Sequence, residues 1–115
     1  MKYLLLVLVL VAALGVAFAS GARTGEPVMA SARSAAELYK KSCASCHGKD
    51  GRAKTFKAKF NHARNLSDPE WQKRASDERI FNSIMNGKEK MPPFGKKLSE
   101  QEINALVSYV RGLQK

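Results

Sequence analysis

The chain has 115 residues, with 20 Lys+Arg against 10 Asp+Glu and a formal net charge of +10. That length fits one small domain and excludes a multidomain enzyme built around a large substrate cleft. With 44% hydrophobic and 26% charged residues, it is neither a disordered tail nor a polytopic membrane protein, and its basic excess points to an anionic partner.

Lys2 precedes an apolar run, Tyr3 to Phe18, interrupted only by Gly15, and Ala17-Phe18-Ala19 has the small-residue form of a cleavage site. Residues 1–19 are therefore expected to be a signal peptide that exports the protein to the periplasm. The alternative is an uncleaved membrane anchor, for which the run falls short of the roughly 20 apolar residues a spanning helix needs. Cutting 19 of the 115 residues, Lys2 among them, leaves 96 residues and lowers the charge from +10 to +9. Residues 20–33, rich in Gly, Ala, Ser and Thr, read as a flexible linker, and residues 34–115 as the folded domain.

Helix starts punctuate that domain. Ser34-x-x-Glu37 has the form of a capping box, opening a helix expected to run to about Cys43 or Cys46. Ser67-Asp68-Pro69-Glu70 is a second start, with proline at a first helical position where its missing N–H costs nothing. Ser76-Asp77-Glu78 opens a third helix, apolar at Ile80, Phe81, Ile84 and Met85 and closed by Asn86-Gly87. Ser99-x-x-Glu102 is another capping box, followed by Ile103, Leu106, Val107, Val110 and Leu113 at helical spacing. No segment after the leader alternates with period two, so the fold is expected to be all-α. Such short helices hold too little apolar volume for a conventional core.

Both cysteines of the chain lie in Cys43-Ala44-Ser45-Cys46-His47. One helical turn separates the two sulfurs, a spacing that suits thioether bonds to the two vinyl groups of a haem, and the adjacent His47 can turn its imidazole to the iron. A thioredoxin-like redox pair would need a βαβ pattern, a four-ligand zinc site would need two ligands where only His62 remains, and a disulfide three residues long would cross-link almost nothing. One covalent haem c is the expected cofactor, and it would supply the missing core volume.

For the sixth iron position the candidates are Met91, Met85, His62 and an open or water-ligated site. Met91 is favoured: it lies outside any expected helix, and Pro92 and Pro93 stiffen the loop that presents its thioether. Met85 belongs to an apolar helix face, where methionine is usually core filler, and His62 sits among the polar residues Asn61, Arg64 and Asn65. A thioether ligand would favour ferrous iron relative to a second imidazole.

Three blocks now stand in order: Leu38-Tyr39-x-x-x-Cys43-x-x-Cys46-His47-Gly48, Ile84-x-x-Gly87-x-x-x-Met91-Pro92-Pro93-Phe94, and Leu98-Ser99-x-x-Glu102-Ile103-x-x-Leu106-x-x-Tyr109-Val110-Arg111. In these residues 34–115 resembles the class I c-type cytochromes, specifically the small bacterial monohaem carriers. The resemblance implies short helices wrapped around the haem, the first and last packed together, with His47 as proximal and Met91 as distal iron ligand. Many relatives orient the proximal imidazole through the carbonyl of a proline shortly after the haem motif. This chain has no proline between Gly48 and Asp68, so another backbone carbonyl of that segment is expected to accept the imidazole N–H. Arg64, Asn65 and Trp71 are candidate partners of the haem propionates. Phe56, Phe60, Leu66, Phe81, Ile84, Phe94, Leu98 and Leu106 are candidate pocket walls.

Basic residues border both haem-bearing segments. Lys49, Arg52, Lys54, Lys57, Lys59 and Arg64 face Asp50 alone in the first, and Lys88, Lys90, Lys96 and Lys97 flank Met91 with Glu89 in the second. Complementary charge speeds encounter while keeping a complex short-lived. The expected function is single-electron transfer, without catalysis on an organic substrate, between acidic redox proteins that act as donor and acceptor, either of them exported or membrane-bound. Nucleic acid is not expected as a partner. The alternatives are a haem subunit of a larger oxidoreductase, and a haem enzyme or ligand sensor with an open sixth position.

Overall fold

Among residues 33–115, which the computed structural model describes, there are six helices and, besides an isolated bridge between Lys88 and Met91, no strand pairing. The expected signal peptide, 1–19, and all of the linker 20–33 but Arg33 lie outside the described residues.

Local chemistry accounts for each helix start. Helix α1 (Ala35–Ser42) opens on the Ser34 capping box: Ser34 Oγ accepts the Glu37 N–H at 3.2 Å, and the Ser34 N–H donates to Glu37 Oε2 at 3.1 Å. It stops at Cys43, where φ reaches −116°, and a separate turn, α2 (Ala44–His47), carries the rest of the motif. Helix α4 (Pro69–Arg74) has Asp68 as its cap and proline in its first turn, and α5 (Asp77–Asn86) has Ser76 Oγ accepting the Arg79 N–H at 3.1 Å. In α6 (Glu100–Arg111) the Ser99–Glu102 box closes with bonds of 3.2 and 3.0 Å.

The stretch from Lys49 to Arg64, where no helix start is read from the sequence, contains a further helix, α3 (Phe56–Asn61). Thr55 Oγ1 caps it by accepting the Ala58 N–H at 3.0 Å, and its own hydroxyl donates to the Cys46 carbonyl at 2.9 Å. Threonine as an N-cap is a weaker signal than a full capping box, and six residues are too few for an apolar periodicity to register.

Helix α1 packs against α6, as expected for the first and last helices, and α5 packs on the other flank of α6. Leu38, Tyr39, Ile103 and Leu106 are fully buried at the α1–α6 contact, with Val107, Val110, Ile80 and Ile84 around them. Each such aliphatic side chain contributes about 1.5–3 kcal/mol by leaving water, and Ile103→Ala, at a position with no exposure, would cost about 2–5 kcal/mol.

Two polar clasps lock this arrangement. Buried Gln72 donates from Nε2 to the carbonyls of Leu66 and Val110 at 2.7 and 2.8 Å. Arg111 reaches back to the Gln72 carbonyl at 2.6 Å and to Asp77 Oδ1 at 2.7 Å, tying α6 to α4 and α5. At the other end Arg33 donates from Nε and NH2 to Glu102 Oε1 at 3.1 and 3.0 Å, so the last residue assigned to the linker is part of the folded unit. No helix of the described residues is long and apolar enough to cross a membrane.

Candidate functional site

The helices enclose a cavity of about 590 Å³, within the roughly 300–1,000 Å³ of cofactor sites. Cys43, Cys46, His47 and Met91 all line it. They come from two separate segments, and the turns that present each are strongly constrained.

The break at Cys43 positions the first segment. Tyr39, one turn earlier and buried, donates its hydroxyl to the Gly48 carbonyl at 2.8 Å, bracing the far end of the motif; its burial drives the phenol well above its ordinary pKa. Burial, and then the neighbouring Cys46, push the Cys43 thiol up to about 11. His47 Nδ1 lies 2.9 Å from the Arg64 carbonyl oxygen. A carbonyl can only accept, so Nδ1 carries the proton and Nε2 keeps a free lone pair. Burial moves the pKa of His47 down, partly opposed by that hydrogen bond, which keeps the imidazole neutral, the form that binds metal. Arg64 thus supplies the orienting carbonyl expected between Gly48 and Asp68.

The second segment is a tight turn. Lys88 and Met91 exchange backbone hydrogen bonds at 3.0 and 2.9 Å, with Glu89 at φ +53° between them. Gly87 enters this turn at φ +74°, and a Cβ there would lie 2.6 Å from the Met91 carbonyl oxygen. Beyond the turn the N–H groups of Phe94 and Gly95 satisfy the Ile84 and Met85 carbonyls at the end of α5, at 2.9 and 3.0 Å. Both sides of the Met91 turn are therefore strapped to α5. Met85 does not line the cavity; its sulfur lies against Gly95, where an added Cβ would meet it. His62 is the left-handed cap of α3, at φ +50°, exposed at the cavity rim.

Among the described residues, no group of three or more His, Cys, Asp or Glu could hold a metal ion. Two thiols, one neutral imidazole with a free nitrogen and one thioether on a single cavity form a donor set that fits covalent haem.

Comparison with known proteins identifies the family. Residues 30–110 match the family described as cytochrome c oxidase, cbb3-type, subunit III. The chain belongs to this family and is a small c-type cytochrome. Among solved structures it is similar to the KustC0563 c-type cytochrome, at 43% identity over 70% of this chain and 98% of that one, with a TM-score of 0.66. A point mutant of the same protein matches at 40% identity, 70% and 99% coverage and a TM-score of 0.64. Among curated proteins it is 34% identical over 95 residues to the cbb3-type cytochrome c oxidase subunit FixP of Azorhizobium caulinodans. That match covers 82% of this chain but 30% of FixP.

Membership in the c-type cytochromes implies covalently bound haem c. The walls of the cytochrome's cavity fit it: Leu66, Ile84, Phe94 and Leu106, expected as walls, line the cavity, joined by Ile80 and Val110. Four other expectations for the walls fail. Leu98 is buried and Phe81 half-buried in the core outside the cavity, and Phe56 and Phe60 point outward at 75% and 61% exposure. The last two sit on the helix that periodicity did not reveal, so their direction was not readable.

The rim carries Lys57, Arg64, Arg74, Arg79, Lys88 and Lys90 against Glu89. This excess suits two carboxylates, and half-buried Trp71 also lines the cavity. Asn65 does not; its Oδ1 accepts from the backbone and hydroxyl of Ser67 at 3.0 and 2.9 Å. Charge is the only signal that Arg74 and Arg79 carry in the sequence.

Proposed function

We propose that this cytochrome carries single electrons, with one haem joined through thioethers to Cys43 and Cys46 and with His47 and Met91 as iron ligands. The convergence of these four side chains on one apolar cavity is the observation that carries the reading. When bound, the haem supplies a one-electron Fe(III)/Fe(II) couple. The protein supplies rigidity: the Arg64 carbonyl holds the His47 ring, and the Lys88–Met91 turn holds the thioether from two sides. Ligands tied to backbone on both sides move little between oxidation states. The apolar walls exclude water and, with a thioether ligand, favour a comparatively high potential.

We assign residues 1–19 as a cleaved signal peptide, 20–33 as a linker whose last residue, Arg33, is tied to Glu102, and 34–115 as the cytochrome domain, with donor and acceptor met in the periplasm. The basic rim supports acidic partners.

The purified protein is expected to show a low-spin spectrum with an iron–thioether charge-transfer band, one haem that survives denaturing electrophoresis, and Ser20 as first residue. High-spin iron that binds carbon monoxide readily would refute the carrier in favour of an open-site enzyme or sensor.

A second reading makes the cytochrome a haem subunit of a larger oxidoreductase. It is favoured by the resemblance to an oxidase subunit of which the chain spans 30%. Co-purification from native membranes with stoichiometric partner subunits would support it; isolation as a free monomer would support the carrier.

A further inference from the structure

Helix α3 shows the solvent an apolar pair that the core does not use. Phe56 and Phe60 are 75% and 61% exposed, one helical turn apart, their rings edge to face with centroids 4.8 Å apart. Neither lines the cavity, whereas Lys57 and Asn61, one residue further round the helix, both do. The helix therefore has two functional stripes: one forms the cavity rim and the next faces outward.

Its position is fixed at both ends to the residues proposed to hold the haem. Thr55 Oγ1 is bonded to the Cys46 carbonyl at 2.9 Å, and Asn61 Nδ2 lies 3.7 Å from Cys46 Sγ. From the second segment Lys90 Nζ donates to the Phe60 carbonyl at 2.7 Å, so α3 joins the Cys46 side of the cavity to the Met91 turn. Lys54, Lys57 and Lys59 flank the two phenylalanines in sequence, all exposed, and among the described residues none pairs with a carboxylate. Asp50, the only acid in the segment, is taken by Arg52 at 3.8 Å.

We infer that Phe56 and Phe60 are the apolar anchor of the docking surface for a redox protein that presents an apolar depression edged by carboxylates. This rests on the electron-carrier reading and names the face through which it acts. An apolar centre within a charged rim is how a transient interface combines anchoring with steering. The paired rings lose little freedom on binding because they already rest on each other. The unpaired lysines supply complementarity to a carboxylate rim. A lipid surface is the other class such residues could meet, but a six-residue helix with two rings offers a small apolar face, and lipid over it would cover the rim next to Cys46.

The test uses the full haem-loaded protein, reduced, and an oxidised acidic blue-copper protein (a plastocyanin) as partner probe, mixed by stopped flow. The F56A/F60A variant is expected to lower the second-order rate constant about tenfold while its optical spectrum and its reduction by ascorbate stay as in wild type. A K54E/K59E variant, with both rings kept, is expected to slow the reaction and flatten its dependence on salt. An unchanged rate in F56A/F60A overturns the inference. So does binding of the wild type, but not of F56A/F60A, to phosphatidylglycerol vesicles without an effect on the protein reaction. A wild type that ascorbate cannot reduce instead overturns the carrier reading itself, and is told apart because no partner protein is involved.

Discussion

His47 Nδ1 is 2.9 Å from the Arg64 carbonyl oxygen, across 17 residues of chain. The acceptor is backbone, so what holds it is the turn that follows. Asn65 Oδ1 accepts from Ser67 N–H and Oγ at 3.0 and 2.9 Å, and the Leu66 N–H donates to the Gly51 carbonyl at 2.7 Å. A short loop from Gly51 and a side-chain turn at Asn65 thus aim one carbonyl at the imidazole. Proline, absent here, is one solution to a problem that a locked turn also solves.

Asn65→Ala should therefore reach the iron without touching it. With His47 ligating the iron as proposed, releasing the turn weakens the hydrogen bond to Nδ1–H, makes the imidazole a poorer donor to the ferric state and raises the reduction potential, by on the order of tens of millivolts. Buried Ser67 loses its partner as well, at about 1–2 kcal/mol. A redox titration beside a thermal melt checks both; a potential that stays fixed while stability falls would deny Arg64 its orienting role.

Met91→Ala should abolish the iron–thioether band and lower the potential by on the order of 0.1–0.2 V, part of the roughly 0.8 V that axial ligands command. Met85→Ala is the control. Its sulfur packs against Gly95 rather than into the cavity, so the band should persist while stability falls by about 2 kcal/mol. Loss of the band in Met85→Ala alone would reverse the assignment.

Gly87→Ala probes the turn. The substitution places a Cβ at φ +74° and 2.6 Å from the Met91 carbonyl oxygen, with Pro93 N at 2.9 Å. With ψ at 168° the residue sits in a region that is essentially glycine's alone, costing an L-residue about 1–3 kcal/mol, and the contact must also push the 91–93 segment away. Spectra recorded along a denaturant titration should show the thioether band fading at lower denaturant than global unfolding, earlier than in the parent. Coincidence of the two transitions at the parent's midpoint would show the turn to be tolerant.

What was legible in the sequence was local or compositional. The Ser34–Glu37 and Ser99–Glu102 boxes announce their helices because both partners lie within four residues, and the Cys-x-x-Cys-His spacing announces its chemistry because one turn fixes it. What was not legible needed the third dimension. The orienting carbonyl belongs to the backbone of Arg64, which no side chain advertises. Arg111 reads as an ordinary terminal cation until it is seen to reach Gln72 and Asp77 across more than 30 positions. Phe56 and Phe60 look like core because aromatic residues usually are, and only the helix set by Thr55 turns them outward.

Glu102 gives the fold a predictable acid limit. Its carboxylate caps α6 through the Ser99 N–H at 3.0 Å and receives Arg33 at 3.0–3.1 Å. The Ser99 N–H first, and then Arg33, hold its pKa below the ordinary glutamate value. A carboxyl depressed in the folded state contributes stability that is complete above its unfolded value, about 4.3, and is lost as pH falls through the lower folded value. Thermal melts should accordingly show no change from this group between about pH 7 and 5, and a decline below about pH 4. Glu102→Gln keeps the length and one acceptor but removes the charge. It should lower Tm at neutral pH, with the gap to wild type closing as the pH falls below about 4 and the wild-type carboxylate protonates. Salt should narrow the neutral gap too, since the Arg33 side of the pair is open to solvent. A gap of constant size from pH 7 to 3 would mean that the carboxylate's charge does not support this helix start, and that shape alone does.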